Sequence, residues 1–210
     1  MAGKVGAVMV VGGGVAGIQA SLDLAESGYY VYLVESSPAI GGVMAQLDKT
    51  FPTNDCSMCI LSPKLVECGR HLNIELLTLS EVVDVSGTQG NFQVRVIQHP
   101  RYVDPTKCIA CGLCAEKCPT KVDSGYEEGL SKRKAIYIKY AQAVPLKYAI
   151  DPEHCIYLTK GKCRACEKLC TAKAINFEDK EKERIIPVGS IILSPGFDEF
   201  DADKLAAYGY

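Results

Sequence analysis

Several features that mark large classes of proteins are missing from this sequence. Its formal net charge is only −2, so it lacks the broad basic surface typical of proteins that bind nucleic acid. Its longest apolar stretch, VGAVMVVGGGVAGI, is interrupted by glycines and is too short to span a bilayer. That stretch also lacks the basic and cleavage regions of a signal peptide. We therefore expect a cytoplasmic protein that neither spans a membrane nor acts on nucleic acid.

Cysteine, by contrast, is abundant, with 11 in 210 residues. Without an export signal, such a count favours metal binding or redox chemistry over structural disulfides. Eight of the cysteines fall into two tight groups, and disulfides between such close neighbours would be strained. The first group is Cys108, Cys111, Cys114 and Cys118, and the second is Cys155, Cys163, Cys166 and Cys170.

Both groups have the spacing of iron–sulfur ligands. The first reads CxxCxxCxxxCP, in which three thiolates of one loop bind one [4Fe–4S] cluster and the fourth binds a neighbouring cluster. The second has the same ending after a longer first spacing, with Thr171 in place of the usual proline. Zinc sites also use CxxC pairs, but they do not account for the repeat. The pattern predicts two clusters with crossed ligand sets: Cys108, Cys111, Cys114 and Cys170 for one, and Cys155, Cys163, Cys166 and Cys118 for the other.

The N-terminal residues have the pattern of a dinucleotide-binding fold. A valine-rich run suited to a buried parallel strand precedes GGGVAG, an amphipathic helix pattern follows it, and a second strand pattern then ends in an acid. In such a unit the glycines permit a tight turn, approach of the backbone to a pyrophosphate and close helix packing. The helix N-terminus favours phosphate, and the acid accepts hydrogen bonds from the ribose. The candidate cofactor-binding residues of this unit are Gly12, Gly14, Val15, Ala16, Gly17 and Glu35.

Two later stretches favour FAD over NAD as the dinucleotide. After Glu35, the paired Gly41 and Gly42 lie in a segment that resembles the E-x(5)-GG of two-dinucleotide flavoprotein reductases. The strand pattern of residues 183–193 continues into Ser-Pro-Gly and resembles the strand that closes on FAD in the same proteins. Gly41, Gly42 and Gly196 are therefore further candidate FAD residues.

These assignments predict an α/β protein in which a Rossmann-like FAD-binding domain is interrupted by a ferredoxin-like α+β unit. We expect the FAD domain to occupy residues 1–100 and 181–210, and the unit with two clusters to occupy residues 101–180. Insertion at a connecting loop is tolerated when the two ends of the insert lie close together. Residues 73–98 alternate in polarity and contain Gly-Asn at a turn, which predicts short antiparallel strands.

Cys56, Cys59 and Cys68 form a looser group, for which the spacing leaves three roles open. Cys56 and Cys59 either bind part of a third cluster completed by residues from elsewhere or form a redox dithiol beside the flavin. The third role is that of buried, inert cysteines. Cys68 fits this last role best, because it lies in a short helix pattern.

Together these stretches resemble the A subunit of heterodisulfide reductase and its relatives. The resemblance covers nearly the whole chain, and FPTNDCSMCILSPK is its most diagnostic part because generic flavoproteins lack this string. Other matching stretches are GGGVAGIQASLDLAESGY, GNFQVRVIQHPRYVD, the first cysteine motif and LSPGFDEFDADK. The resemblance implies an oxidoreductase component with a thioredoxin-reductase-like FAD domain and an inserted two-cluster domain. It also implies electron bifurcation at the FAD, with B and C subunits, a hydrogenase or other electron donor, and ferredoxin as partners.

Members of that family are longer than this chain, so we expect a truncated or split subunit. Electron transfer through FAD and clusters does not need a side chain that acts as acid or base. Two alternative functions remain. A self-contained disulfide reductase using Cys56 and Cys59 would need a second GxGxxG for NAD(P), which the sequence lacks. An electron-carrier module, a ferredoxin unit on a flavin-free Rossmann remnant, would hold the clusters without FAD.

Overall fold

The structure is a computed structural model that describes residues 5–197 together with residues 200, 201, 204, 205, 207 and 209. Most of residues 198–210, the end of the expected return segment, therefore lies outside the described residues. The strands are β1 (Ala7–Val11), β2 (Tyr30–Glu35), β3 (Lys49–Thr50), β4 (Asp55–Cys56), β5 (Ile74–Thr78), β6 (Ser80–Thr88), β7 (Asn91–Gln98), β8 (Lys121–Asp123), β9 (Lys132–Lys134), β10 (Ile136–Tyr137), β11 (Ala149–Ile150), β12 (Lys182–Val188) and β13 (Ser190–Leu193). The helices are α1 (Val15–Glu26), α2 (Ser57–Arg70), α3 (Leu113–Glu116), α4 (Ile156–Lys160) and α5 (Ala165–Leu169). No helix in the described part of the chain is both long and apolar enough to cross a bilayer.

A parallel sheet in the order β13-β1-β2-β5 forms the centre of the first half of the molecule. Residues 8–10 of β1 are buried on both faces of the sheet, as expected for a strand covered on two sides. On one face, α1 contributes Ile18 and Leu22 and α2 contributes Leu61 and Leu65 to a shared apolar core. The expected α/β fold class is confirmed.

An antiparallel sheet in the order β12-β7-β6 covers the other face of the parallel sheet. The core between the two sheets includes Met9 and Val34 from the parallel sheet and Val94, Ile186 and Val188 from the antiparallel one. The parallel sheet is thus packed on both faces, which explains the valine-rich sequence of β1 and the buried Val31, Leu33 and Val34 of β2.

Two strand assignments made from the sequence differ from the structure. Residues 183–193 form two strands in two sheets, because β12 pairs with β7 and β13 pairs with β1. The chain changes sheets at Gly189, where a Cβ would lie 2.3 Å from the carbonyl oxygen of Val5. Within residues 73–98, β5 joins the parallel sheet, and only β6 and β7 are antiparallel. Alternation along a strand does not reveal its partner, so these pairings depend on tertiary contacts.

The segment between β7 and β12 leaves and re-enters the antiparallel sheet at neighbouring points, since Gln98 pairs with Lys182. We call residues 101–180 the inserted segment. It contains the hairpins β8–β9 and β10–β11 and the short helices α3, α4 and α5. Its own core includes the buried cysteines Cys108, Cys114 and Cys155.

Part of the inserted segment packs into the core of the parallel sheet. Tyr140 and Ala143 are buried in the same cluster as Ile18 and Ile40, and Val144 packs against that cluster. The carbonyl of Val144 also accepts a hydrogen bond of 2.9 Å from the N–H of Ile40. The inserted segment and the parallel sheet therefore share buried surface.

Candidate functional site

The glycine turn between β1 and α1 lies at the carboxyl end of the parallel strands, where ligands of such sheets bind. Gly12 has a φ of +107°, and a Cβ there would lie 2.0 Å from the carbonyl oxygen of Ser194. A Cβ on Gly17 would lie 1.9 Å from the carbonyl oxygen of Gly12, so α1 packs against the turn only without a side chain. A Cβ on Gly14 would meet only the Cα of Gly42, at 4.0 Å. The turn is thus closed on its inner side and open on its outer side, as a phosphate cradle requires.

The N-terminus of α1 opens into the same space. Gly14 is the N-cap, with an extended backbone and no side-chain cap, and the first turn of α1 carries no acidic residue. The first intrahelical hydrogen bond runs from the N–H of Ile18 to the carbonyl of Gly14, at 2.9 Å. The N–H groups of Val15, Ala16 and Gly17 precede that bond and have no intrahelical acceptor. Together with the positive end of the helix dipole they favour an anion.

Glu35 ends β2 and faces the glycine turn. Its Oε2 accepts a hydrogen bond of 2.8 Å from the N–H of Gly13, and its Oε1 accepts one of 2.8 Å from the N–H of Ser37. These two bonds fix the orientation of the carboxylate. Oε1 also accepts a longer hydrogen bond of 3.5 Å from the hydroxyl of Ser36, and the second lone pair of Oε2 can accept a hydrogen bond from a ligand hydroxyl.

A cleft of about 940 Å³ connects these groups, which lies at the upper end of the range of about 300–1,000 Å³ for small-molecule sites. Seven of the nine predicted cofactor residues line it: Gly12, Gly14, Val15, Ala16, Glu35, Gly42 and Gly196. The other two, Gly17 and Gly41, are not among its lining residues. Apolar side chains that the sequence did not reveal complete the wall: Leu47, Phe51, Val82, Leu193 and Phe197.

The paired glycines lie directly on the glycine turn between β1 and α1. The N–H of Gly41 donates a hydrogen bond of 2.7 Å to the carbonyl of Gly13. Gly41 and Gly42 have φ values of +132° and +57°, in the left-handed range that favours glycine. A Cβ on Gly42 would lie 2.8 Å from the Cα of Gly14. The two glycine motifs therefore form one continuous backbone surface at the cleft.

One small cavity in the inserted segment is lined by cysteines from both motifs. Its apolar wall includes Ile136, Ile150 and Phe177. The cysteines that line it are Cys118, Cys155, Cys163 and Cys166. This is the crossed ligand set that the sequence pattern predicts for the second cluster.

Backbone hydrogen bonds account for the proximity of the two motifs. The N–H of Asp104 donates to the carbonyl of Ala174, which follows the second motif, at 2.7 Å. The N–H of Asp151 donates to the carbonyl of Ala135, which follows the first motif, also at 2.7 Å. Each aspartate lies four residues before the first cysteine of its own motif. The start of each motif is therefore held beside the segment that follows the other motif.

The two motifs repeat the same local backbone geometry. Gly112 is the left-handed N-cap of α3 with a φ of +90°, and Arg164 is the left-handed N-cap of α5 with a φ of +73°. The third cysteine of each motif, Cys114 or Cys166, lies on the short helix that follows. Burial is the main cause that raises the pKa of Cys114 to about 12 and that of Cys166 to about 11. Ligation of iron by these thiols therefore requires the loss of their protons.

Within the described residues, no three His, Cys, Asp or Glu side chains converge on one point suited to a single metal ion. The cysteines of a [4Fe–4S] cluster bind different irons of the cube, so their sulfurs surround a volume instead of converging. The two cysteine loops fit a cluster of that kind better than a mononuclear site.

Cationic side chains contact the backbone of both cysteine motifs. The Nζ of Lys147 donates to the carbonyl of Cys108, and the Nζ of Lys134 donates to the carbonyl of Cys118, each at 2.5 Å. Arg101 is buried and donates to the carbonyl of Pro38 at 2.7 Å. Burial lowers the pKa of Arg101 to about 10, so its guanidinium is still charged at neutral pH. These positive charges offset the negative charge that bound thiolates would bring into the interior.

Cys56 and Cys59 are joined by a disulfide at the start of α2. In this oxidised form their sulfurs are not available to ligate iron. The pair lies at the base of the hairpin β3–β4, whose residues Thr50 and Phe51 line the cleft. Cys68 is fully buried on α2, and burial raises the pKa of its thiol to about 12, which suits the inert role.

Two family descriptions match separate parts of the chain. Residues 7–56 match a family described as FAD dependent oxidoreductase, and residues 101–122 match one described as 4Fe-4S binding domain. The first range contains the glycine turn and most of the residues of the cleft, and the second contains the first cysteine motif. An FAD-type domain and an iron–sulfur domain are thus both confirmed.

Similarity to larger proteins extends over almost the whole chain. The chain is 52% identical over 202 residues to the iron–sulfur A subunit of the CoB–CoM heterodisulfide reductase of Methanocaldococcus jannaschii, covering 96% of this chain and 30% of that protein. It is 48% identical over 202 residues to the A subunit of the H(2):CoB-CoM heterodisulfide,ferredoxin reductase of Methanothermobacter marburgensis, with the same coverage. Along nearly its whole length, the chain matches part of the heterodisulfide reductase A subunits. It spans about 30% of the length of the curated relatives it matches.

These matches confirm the resemblance found in the sequence. The ligand sets of the cysteines, the number of clusters and the residues that hold FAD stay predictions. The sequence pattern did not reveal Arg101, Lys134 or Lys147, because no motif marks them and their roles depend on contacts made by the fold.

Proposed function

We propose that this chain is the FAD and iron–sulfur electron-transfer part of a heterodisulfide-reductase-type complex. One observation supports it above the others: a cleft suited to a dinucleotide and a pair of cysteine loops occur in one structure, and part of the segment that carries the loops packs into the core of the parallel sheet. Tyr140, which lies between the two cysteine motifs in sequence, is buried against Ile40 beside the cleft. The chain would therefore hold both kinds of redox group in a fixed arrangement.

The cleft fits FAD by the shape of its backbone. The N-terminus of α1 would bind the pyrophosphate, and Glu35 would accept hydrogen bonds from the ribose. Space that a Cβ would fill is left at Gly14, and the backbone of Gly42 approaches it closely. The apolar residues around the cleft would exclude water from the ring system, and Gly196 borders the same space.

The eight cysteines of the two motifs are the proposed ligands of two [4Fe–4S] clusters in crossed sets. Support comes from the cavity that four of them share and from the backbone bonds that hold each motif beside the segment after the other. When bound, FAD exchanges electrons in pairs or singly, and each cluster exchanges one electron. The chain itself binds and separates these groups, and Lys134 and Lys147 offset negative charge near the clusters.

The partners follow from the relatives by name. One relative, from Methanosarcina mazei, is named as the A subunit of a ferredoxin:CoB-CoM heterodisulfide reductase. We extend these reactants to the complex in which this chain works: ferredoxin and a disulfide of the CoM-S-S-CoB type, reached through B and C subunits. A hydrogenase or another two-electron donor would supply the electrons. In an electron-bifurcating complex, each electron pair would be divided at the FAD between two acceptors. A cytoplasmic location stays a prediction from the sequence.

An anaerobic reductive titration tests this function. The chain is loaded with iron, sulfide and FAD, freed of unbound cofactor and titrated with dithionite while its visible absorption is recorded. If the Cys56–Cys59 disulfide takes no part in electron transfer, we expect an uptake of about four electrons per chain, two by FAD and one by each cluster. An uptake of about two electrons, with no flavin retained, would contradict the proposal and favour the flavin-free electron carrier.

A disulfide reductase function is the second candidate, and the Cys56–Cys59 disulfide beside the cleft hairpin favours it. A disulfide takes up two electrons on reduction to two thiols. The same titration would then reach about six electrons per chain. A third cluster that involves Cys56 and Cys59 would instead add about one electron together with about four irons.

A further inference from the structure

The loop that carries the paired glycines is held from outside by side chains of the inserted segment. We call residues 38–46 the glycine-pair loop. The hydroxyl of Tyr140 donates a hydrogen bond to the carbonyl of Ile40 in this loop. The hydroxyl of Tyr126 donates to the carbonyl of Ala45 at 2.6 Å, and the side-chain amide of Gln46 donates back to the carbonyl of Tyr126 at 3.1 Å. Both tyrosines lie between the two cysteine motifs in sequence.

Tyr140 is built into this contact. Its side chain is buried, and its ring stacks on that of Tyr126 with the centroids 5.4 Å apart and the planes at 18°. Burial raises the pKa of Tyr140 above its ordinary value, which keeps the hydroxyl protonated as a hydrogen-bond donor. A Cβ on Gly41 would lie 2.4 Å from the Tyr140 hydroxyl oxygen. The hydroxyl therefore occupies the space that a side chain at position 41 would need.

The position of the glycine-pair loop also determines the shape of the surface at the glycine turn between β1 and α1. The N–H of Gly41 donates to the carbonyl of Gly13 at 2.7 Å, and the backbone of Gly42 lies against Gly14. Gly42 lines the cleft together with Gly14. A shift of the loop by a few tenths of an ångström would therefore alter the surface on which a pyrophosphate rests.

We propose that Tyr140 is a positioning residue for the dinucleotide. Its hydroxyl, which belongs to the inserted segment, donates a hydrogen bond to the carbonyl of Ile40 and thereby fixes Gly41 and Gly42 against the glycine turn between β1 and α1. This inference rests on the proposed binding of FAD in the cleft. It adds that the affinity for FAD depends on a side chain of the segment between the cysteine motifs. The carbonyl of Ile40 is the group that a Tyr140→Phe substitution would leave without this donor.

The test measures the dissociation constant of FAD by calorimetry for the iron-loaded chain and its variants, with the iron content and the thermal midpoint measured in parallel. Tyr140→Phe keeps the ring and removes one hydrogen bond to a buried carbonyl, so we expect the dissociation constant to rise about tenfold. The iron content should be unchanged. Tyr126→Phe removes the second hydroxyl from the same loop and should also weaken binding.

Tyr137→Phe is the matched control. Tyr137 lies three residues before Tyr140, but its ring packs 3.9 Å from the guanidinium of Arg133, so we expect its loss of a hydroxyl to leave FAD affinity unchanged. Equal FAD affinity in Tyr140→Phe and the unsubstituted chain would overturn the inference and leave the proposed function standing. A parallel loss of iron and thermal stability in Tyr140→Phe would also overturn it. Failure of the unsubstituted chain to bind FAD would overturn the proposed function as well.

Discussion

Gly14 and Gly17 lie in the same turn for different physical reasons. Space beside Gly14 is open, because a Cβ there would meet only the Cα of Gly42 at 4.0 Å. Its φ of −78° is also accessible to any residue. Space beside Gly17 is filled, since a Cβ there would lie 1.9 Å from the carbonyl oxygen of Gly12. One glycine leaves room for a ligand, and the other lets the helix pack on the strand.

This difference leads to a paired prediction. Gly14→Ala should fold with little loss of stability but bind FAD at least tenfold more weakly, because its methyl group enters the space proposed for the pyrophosphate. Gly17→Ala should lower the free energy of unfolding by about 2 kcal/mol or more, as overpacked sites do. Thermal unfolding and FAD calorimetry on both variants check this. If Gly14→Ala bound FAD normally, the cleft would not be the cofactor site.

At the scale of elements, the two cysteine motifs are related by the same backbone pattern. Each motif is preceded by an aspartate whose backbone N–H donates a hydrogen bond to the segment that follows the other motif. The third cysteine of each motif follows a helix N-cap in the left-handed conformation. This arrangement supports the prediction that the first and fourth cysteines of one motif bind different clusters.

Double substitutions distinguish crossed from uncrossed ligand sets. In the crossed arrangement Cys118 and Cys166 belong to one cluster, so Cys118→Ala with Cys166→Ala should leave about four irons per chain. Cys118→Ala with Cys114→Ala removes a ligand from each cluster and should leave close to none. The iron and sulfide content of both double variants is measured after anaerobic reconstitution. The reverse result, with iron kept only by the second pair, would establish uncrossed sets.

Element by element, the sequence predicts local structure better than pairing. The strand–turn–helix–strand unit of residues 7–35 is evident, because buried valines, glycines and helical periodicity all agree there. The change of sheet at Gly189, between β12 and β13, is not evident from the sequence. There the backbone passes close to Val5, a residue far away in sequence. The pairing of β5 is missed as well: its alternating sequence predicts an antiparallel strand, but tertiary contacts place it in the parallel sheet.

At the scale of the whole molecule, the contact between the inserted segment and the parallel sheet was not predictable from motifs. Tyr140 has no signature in the sequence, yet it is buried in the core beside α1 and contacts the glycine-pair loop. Arg101 connects the start of the inserted segment to Pro38 and Thr78 on the FAD side. Spacing identified the candidate ligands, because cluster and dinucleotide motifs are local. The contacts between the two regions depend on the complete fold.

The central claim is that one chain holds both a flavin and two iron–sulfur clusters. Its most direct test is the content of FAD, iron and acid-labile sulfide per chain after anaerobic purification or reconstitution. We expect about one FAD and about eight irons with equal sulfide. Zinc in place of iron, or eight irons in a chain that retains no FAD at saturating cofactor, would contradict the claim.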